Sequence, residues 1–365
     1  MFKTAILTGG GDCPGINTVL RAVTKTITAN GGEVVGFLDG FAGLVENRYR
    51  VLDAPAISGL LHRGGTILGT NNRDNPFSYP VRENGAVVYK NMSAQAIANL
   101  KKADCSCLIV VGGDGSLSIA QEFSALGVAV VGVPKTIDND LAATEKTFGF
   151  DTAVATATEA LDRLHTTAES HHRVMVLELM GRYAGWIALY SGLAGGADVI
   201  LIPEIPWSIG PVAAKILDRK AKGKPFSIVV VAEGALTPEG KRIVRKTIAE
   251  SADPLRLGGI GDYVGDLIEK ETGIETRVTV LGHIQRGGSP SSSDRILATR
   301  YGVAAAELAL KGDFGKMVSL QKGEITAVKL EEATHQNRLI APDEPLLQTA
   351  RQIGITFGDI YPVKI

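Results

Sequence analysis

The sequence predicts an α/β protein made of two Rossmann-like α/β/α sandwich domains with an active-site cleft between them. Three observations carry that expectation: short β-branched runs alternate with longer helical stretches, glycine- and aspartate-rich loops follow the runs, and the cycle starts again near Phe150. In the first half, residues 4–7, 33–37, 107–111 and 129–133 read as strands, and residues 15–30, 93–101 and 116–126 as helices. Such alternation favours a mainly parallel sheet covered by helices, with ligand loops at the carboxyl ends of its strands. In the second half the alanine-rich stretch 151–167 reads as a helix, 174–179 as a strand and 184–193 as a helix. Further strands are expected at 199–202 and 228–232, with a charged helix at 212–221 between them. Residues 235–261, broken by Pro238, Pro254 and several glycines, read as a long loop with room for a short helix.

Composition narrows the function classes. A chain of 365 residues, 45% of them hydrophobic, can fill one large core or divide it between two domains. Its 38 basic and 39 acidic side chains leave a formal net charge of -1, which gives no broad electrostatic reason to expect nucleic acid or an anionic membrane. No apolar run is long enough to span a bilayer, and the few apolar residues before Gly9 are too short for a signal-peptide core, so a cytoplasmic chain is expected. Three cysteines, with no histidine cluster beside them, fit a reducing compartment better than a disulfide scaffold or a metal site.

Three loops carry chemistry. Gly9-Gly10-Gly11 follows the first strand and opens a helix, where the lack of Cβ atoms lets backbone amides approach phosphate; a simple turn is the other reading. The pattern is neither the dinucleotide-binding nor the Walker A signature. Gly112-Gly113-Asp114-Gly115-Ser116 ends the strand at 107–111 and offers both amides for phosphate and a carboxylate for Mg²⁺, or else an acidic helix cap. Pro134-Lys135-Thr136-Ile137-Asp138-Asn139-Asp140 follows the next strand and brings two carboxylates, an alcohol and a lysine together. A carboxylate there can accept the proton of an attacking hydroxyl while its neighbour organises Mg²⁺, with helix capping as the alternative.

Together with Met180-Gly181-Arg182 and His283-Ile284-Gln285-Arg286-Gly287-Gly288-Ser289, these loops strongly resemble the bacterial-type 6-phosphofructokinase family, over most of the chain. The resemblance implies transfer of the γ-phosphoryl of Mg·ATP to the C1 hydroxyl of fructose 6-phosphate, giving fructose 1,6-bisphosphate and ADP. It divides the chain into a phosphoryl-donor domain, 1–149 plus about 285–335, and a fructose 6-phosphate domain, 150–284 plus about 336–365. Asp138 is then the general base, Asp114 and Asp140 hold Mg²⁺, Thr136 and Arg182 meet developing charge, and Gly11, Arg73, Asp114, Gly115 and Ser116 receive the donor. Thr136, Asp138, Met180, Gly181, Arg182, Glu233, His283 and Arg286 surround the sugar phosphate. Arg173 and Arg277 resemble residues donated by a neighbouring subunit, which implies a homotetramer or homodimer with shared active sites.

Two residues bear on the donor. Gly115 leaves room near an α-phosphate, as in ATP-dependent members, whereas Lys135 resembles the lysine that accompanies pyrophosphate use. Glycine plus lysine marks a mixed branch of the family for which ATP is expected and pyrophosphate is the alternative. A non-catalytic nucleotide or sugar-phosphate sensor is a third reading, disfavoured because binding alone needs no base beside a metal-holding carboxylate. His165 and Asp198 stand where an effector-site arginine and glutamate are expected in the family, which weakens any transfer of ADP activation.

Overall fold

A computed structural model describes residues 1–83, 85–247, 255–334 and 336–359. The first unit opens with β1 (Lys3–Thr8), α1 (Ile16–Ala29), β2 (Glu33–Phe37), α2 (Phe41–Glu46) and β3 (Tyr49–Val51). An antiparallel pair, β4 (Tyr79–Glu83) and β5 (Ala86–Lys90), leads to α3 (Ser93–Lys102). Then come β6 (Cys107–Gly112), α4 (Asp114–Ala125), β7 (Val130–Thr136) and the two-residue β8 (Phe148–Gly149). The second unit contains α5 (Phe150–His171), β9 (Val174–Leu179), α6 (Trp186–Ala194), β10 (Val199–Leu201), α7 (Ile209–Ala221) and β11 (Ser227–Ala232). It continues with the antiparallel pair β12 (Val244–Thr247) and β13 (Leu255–Leu257), then α8 (Ile260–Thr272) and β14 (Thr276–Val280). Beyond a 3-10 turn at Gly282–Arg286 lie α9 (Ser292–Lys311), β15 (Lys316–Gln321), β16 (Glu324–Lys329), α10 (Leu330–Thr334) and α11 (Pro345–Gln352).

The strands form two main sheets. The first runs β16-β15-β7-β6-β1-β2-β3 with β8 beside β7; it is parallel from β15 to β2 and antiparallel at both edges. The second, β10-β11-β9-β14, is wholly parallel. Parallel strands covered on both faces need apolar residues at successive positions, and β6 and β9 are buried along their whole length. On α1 the buried Ile16, Val19, Leu20, Val23 and Ile27 recur at helical spacing and turn one face toward α9. Among the described residues no helix is long and apolar enough to cross a membrane.

The chain passes between the units at Gly149 and Phe150, returns after β14 to place α9, β15 and β16 on the first, and passes again beyond α10, where Thr356 bridges Val199 beside the second sheet. One hydrophobic cluster joins both halves. It runs from Ile6, Ile109 and Val133 through Phe148 and the α5 residues Ala157 and Leu161 to Leu177, Ile200 and Val230.

The α/β class and the strands and helices expected before residue 235 are present, with ends shifted by at most four residues. Two differences matter. The expected loop at 235–261 contains the strands β12 and β13, with 248–254 lying outside the described residues, as do 360–365 of the expected second domain. Pro134, Lys135 and Thr136, expected in a loop, lie inside β7, where Pro134 pairs with Gly112 and Lys135 with Phe148.

Candidate active site

The register β1-β6-β7 sets three loops side by side at the carboxyl edge of the first sheet, because Thr8 aligns with Val111 and Gly112 with Pro134. In the glycine loop after β1, Gly9 N donates to Val111 O (2.9 Å) and Gly10 N to Asn71 O (3.0 Å), so a phosphate would be met from Gly11 onward. The loop needs glycine for a steric reason. A Cβ on Gly9 would lie 2.5 Å from Ser116 Oγ, and one on Gly112 would lie 2.3 Å from Ser116 Cβ. Ser116 is accordingly buried beneath the loop, while Asp114 and the exposed Gly115 form the first turn of α4. Thr70 Oγ1 donates to Gly10 O (2.6 Å), which brings the loop carrying Arg73 alongside; the Arg73 side chain is exposed.

Lys135 is 3% exposed and its Nζ donates to Gly11 O (2.5 Å), so the ammonium lies under the glycine loop. Burial holds its pKa below the ordinary lysine range. Beyond it, Asp138 N donates to Thr136 Oγ1 (3.0 Å), and that hydroxyl lies 3.3 Å from Asp138 Oδ2. Asp138 Oδ1 is buried with no hydrogen-bond partner among the described residues. Burial first, then the carboxylates of Asp138 and Asp114, push Asp140 up to about 7, with Arg182 opposing. The turn between the two aspartates is left-handed at Asn139 (φ 54°), and Asn139 Oδ1 holds it by accepting from Thr147 N (3.0 Å).

The second unit supplies the facing loop, which leaves β9 at Met180. Met180 N donates to Gln285 Oε1 (2.8 Å) and Arg182 N to Glu233 Oε1 (3.2 Å). Gly181 has φ 145° and Arg182 φ 51°, so the loop is bent through conformations that side-chain-bearing residues rarely adopt. Glu233 rises to about 7, from burial first and then Asp138, with the Arg182 N–H and Arg286 opposing; the carboxylates of the two units thus sense each other. In the 3-10 turn, His283 is exposed, while Arg286 Nη1 donates to Asp12 O (3.3 Å) and would lie 2.9 Å from a Cβ on Gly11. Arg286 therefore reaches across to the glycine loop of the first unit.

Arg173 and Arg277 are not brought to this cluster within one chain. They sit at the opposite end of β9 and β14, both bonded to Glu275, Arg173 Nε at 2.7 Å. The seven steps of chain from Arg173 to Met180 correspond to roughly 20 Å of extended chain. Asp198 uses both oxygens internally, one on Arg219 (2.8 Å) and one on Ile228 N (2.9 Å), and His165 Nε2 donates to Gly195 O (2.7 Å).

Among the described residues no group of three or more histidine, cysteine, aspartate or glutamate side chains could hold a metal by itself. Mg²⁺ needs no such group, since it binds through one or two carboxylates and completes its shell with water and substrate phosphates. The mutual repulsion of Asp140 with Asp138 and Asp114, and the Asp138 oxygen with no partner among the described residues, mark an anionic cluster that a divalent cation would relieve. Asp114 and Asp140 could hold it.

Sequence reasoning missed residues that shape the site from behind. Glu178, buried in β9, accepts from Gly259 N and Gly261 N (3.1 and 2.7 Å) and so ties the start of α8 to the strand before Met180. A lone acid inside the apolar run Val174–Leu179 was its available signal. Gln285, which orders Met180, lay within a quoted motif without a role of its own.

Residues 3–309 match the family model described as Phosphofructokinase. This chain belongs to that family. A phosphofructokinase of Clostridium perfringens, named ATP-dependent 6-phosphofructokinase 2, is 54% identical over 360 residues, covering 98% of each chain. A Streptomyces coelicolor relative named pyrophosphate–fructose 6-phosphate 1-phosphotransferase is 48% identical over 360 residues, covering 98% of this chain and all of that one. The solved phosphofructokinase of Saccharomyces cerevisiae superposes with a TM-score of 0.76 at 30% identity, covering 97% of this chain and 47% of the yeast chain. With these relatives the chain stands as a bacterial-type phosphofructokinase, a phosphotransferase whose relatives divide between two phosphoryl donors.

Proposed function

We propose that the chain transfers the γ-phosphoryl of ATP to the C1 hydroxyl of fructose 6-phosphate, in glycolysis. The observation that carries this reading is Asp138 Oδ1, a buried carboxylate oxygen without a partner among the described residues, at the strand end where the two phosphate loops meet the Met180–Arg182 loop. Such an oxygen is preorganised to accept the C1 proton as the hydroxyl attacks phosphorus. Thr136 orients the carboxylate through its other oxygen, Oδ2, and Arg182 with Thr136 faces the charge that spreads over the transferring group. Mg²⁺, held by Asp114 and Asp140, would neutralise the donor phosphates. Gly11, Gly115, Ser116 and Arg73 receive or bound the donor. Met180, Gly181, Glu233, His283 and Arg286 line the sugar-phosphate side, the arginine fork suiting phosphate geometry.

The open space around Gly115 supports ATP: a Cβ there would meet no heavy atom within 4 Å, so nothing crowds an α-phosphate. Pyrophosphate is the second reading, favoured by the Lys135 ammonium beneath the donor loop. Initial rates with fructose 6-phosphate, Mg²⁺ and each donor decide between them; a higher kcat/KM with pyrophosphate overturns ATP, and binding of both substrates without transfer leaves the sensor.

The separation of Arg173 from Met180, roughly 20 Å of strand, with Arg277 beside it on Glu275, supports a homo-oligomer in which each chain completes its neighbour's sugar-phosphate pocket. The chain path supports a donor unit of 1–149 plus about 285–335 and a sugar-phosphate unit of 150–284 plus about 336–365. We place the enzyme in the cytoplasm, where ATP and sugar phosphate meet.

A further inference from the structure

The last passage of chain between the units runs directly behind the reacting groups. Asn337 forms an antiparallel bridge with Leu141, and Arg338 N donates to Asp140 O (2.7 Å). The same arginine turns its guanidinium back, so that Nη1 donates to Asn139 O (3.2 Å). Both carbonyls of the turn that separates Asp138 from Asp140 are therefore held by one residue. On its other side, Arg338 O accepts from Trp186 Nε1 (2.9 Å), and the guanidinium lies 4.2 Å from the centroid of the Trp186 ring. Trp186 is the first residue of α6, four positions after Arg182. Two residues further along the chain, Ile340 N donates to Glu204 Oε1 (3.1 Å), the carboxylate that also accepts from Gly185 N (2.9 Å). Glu204 thus fastens the strap to the start of α6 a second time.

We propose that Arg338 is a positioning residue for phosphoryl transfer, fixing the Asp138–Asp140 turn of one unit at a set distance from the Met180–Arg182 loop of the other. It acts through the carbonyls of Asn139 and Asp140 and the indole of Trp186. The geometry suits arginine alone. A planar fork can donate in its own plane to a carbonyl while its face rests on an indole, and a lysine ammonium offers no such face. The turn it braces is left-handed at Asn139, a conformation that persists only where its surroundings over-determine it. Loosening it would move the base and the metal-holding carboxylate relative to Arg182 without removing any of the three.

The inference rests on the proposed kinase reading, and kinetics of R338A, R338K and W186F test it beside the wild type and D138N. In R338A, kcat falls on the order of a hundredfold, the usual scale for a misplacement of about 1 Å at a reacting centre, while KM for each substrate stays close to the wild-type value. Free guanidinium ion at millimolar concentration restores part of kcat in R338A by filling the vacated fork, and does nothing for R338K. W186F lowers kcat in the same sense by removing the indole donor. Wild-type kcat in R338A, or a loss that follows the folded fraction and does not respond to guanidinium, overturns the proposal. Should R338A fail to fold, wild-type kcat in both R338K and W186F overturns it. Active R338 variants beside an inactive D138N sink the positioning role and leave the kinase reading standing; a wild type that transfers phosphoryl from neither donor removes both.

Discussion

Gly115→Asp separates donor choice from folding. The residue is exposed in the first turn of α4, and a Cβ placed on it has no heavy atom within 4 Å, so the new side chain displaces nothing. A carboxylate at the amino end of a helix contributes about 0.3–1 kcal/mol of stabilisation, so Tm holds or rises slightly. Toward ATP the new charge is unfavourable. A carboxylate about 4 Å from one unit of phosphate charge is repelled by about 1 kcal/mol in water and by about 4 kcal/mol at an effective dielectric of 20. An exposed position beside a closed nucleotide falls between, at about 1.5–3 kcal/mol, which is roughly ten- to a hundredfold in kcat/KM. Pyrophosphate carries no nucleoside-bearing phosphate past that point, and its kcat/KM changes less. Formation of fructose 1,6-bisphosphate, followed at limiting concentrations of each donor, reads both numbers from one preparation. Unchanged kcat/KM for ATP would refute the steric and electrostatic account of Gly115.

Asp138→Asn keeps the shape of the base and removes its proton affinity, so kcat falls by about 10²–10⁴. Tm does not fall with it, because the exchange removes a buried charge that raises both Asp140 and Glu233; parallel activity and melting measurements check the pair. Asp140 and Glu233, both near 7, hold their protons more tightly folded than unfolded. The stability this confers is complete below the unfolded carboxylate range and is lost as pH rises through about 7, so the ligand-free Tm falls from about pH 5 to about pH 8. If Asp140 holds Mg²⁺ as proposed, activity climbs over the same interval, and added Mg²⁺ raises Tm more at the alkaline end. If each site is completed by a neighbour's Arg173, mixing inactive R173A and D138N oligomers under subunit exchange regenerates active sites; no recovery argues for sites contained in single chains.

Much of the fold was legible because the decisive segments obey one simple rule each. The run at 107–112 is apolar at every position up to a glycine, so a strand buried on both faces and its end could both be read; the run at 174–179 is as clear, with Glu178 the exception that marks a tether. The phosphate loops were legible for the same reason, since glycines and aspartates interrupt those runs abruptly. What stayed hidden depends on pairing between distant segments. β15 and β16 join the first sheet only after the chain has built the second, and β12 with β13 is a short half-polar pair that reads as loop. Lys135 looked like a loop residue beside acids, yet the strand runs three residues further, to Thr136, and the lysine ammonium lies under Gly11. Arg338 offered no signal, because its contacts lie with residues at least 150 positions away.

The unbroken apolar cluster through α5 has a consequence for how the molecule comes apart. Phe148, Ala157 and Leu161 belong to one apolar cluster that includes residues of both sheets, so severing the chain near residue 149 would expose oily surface on either fragment. A calorimeter should register one cooperative melting event for the intact polypeptide, and the separated halves should be recovered as aggregates.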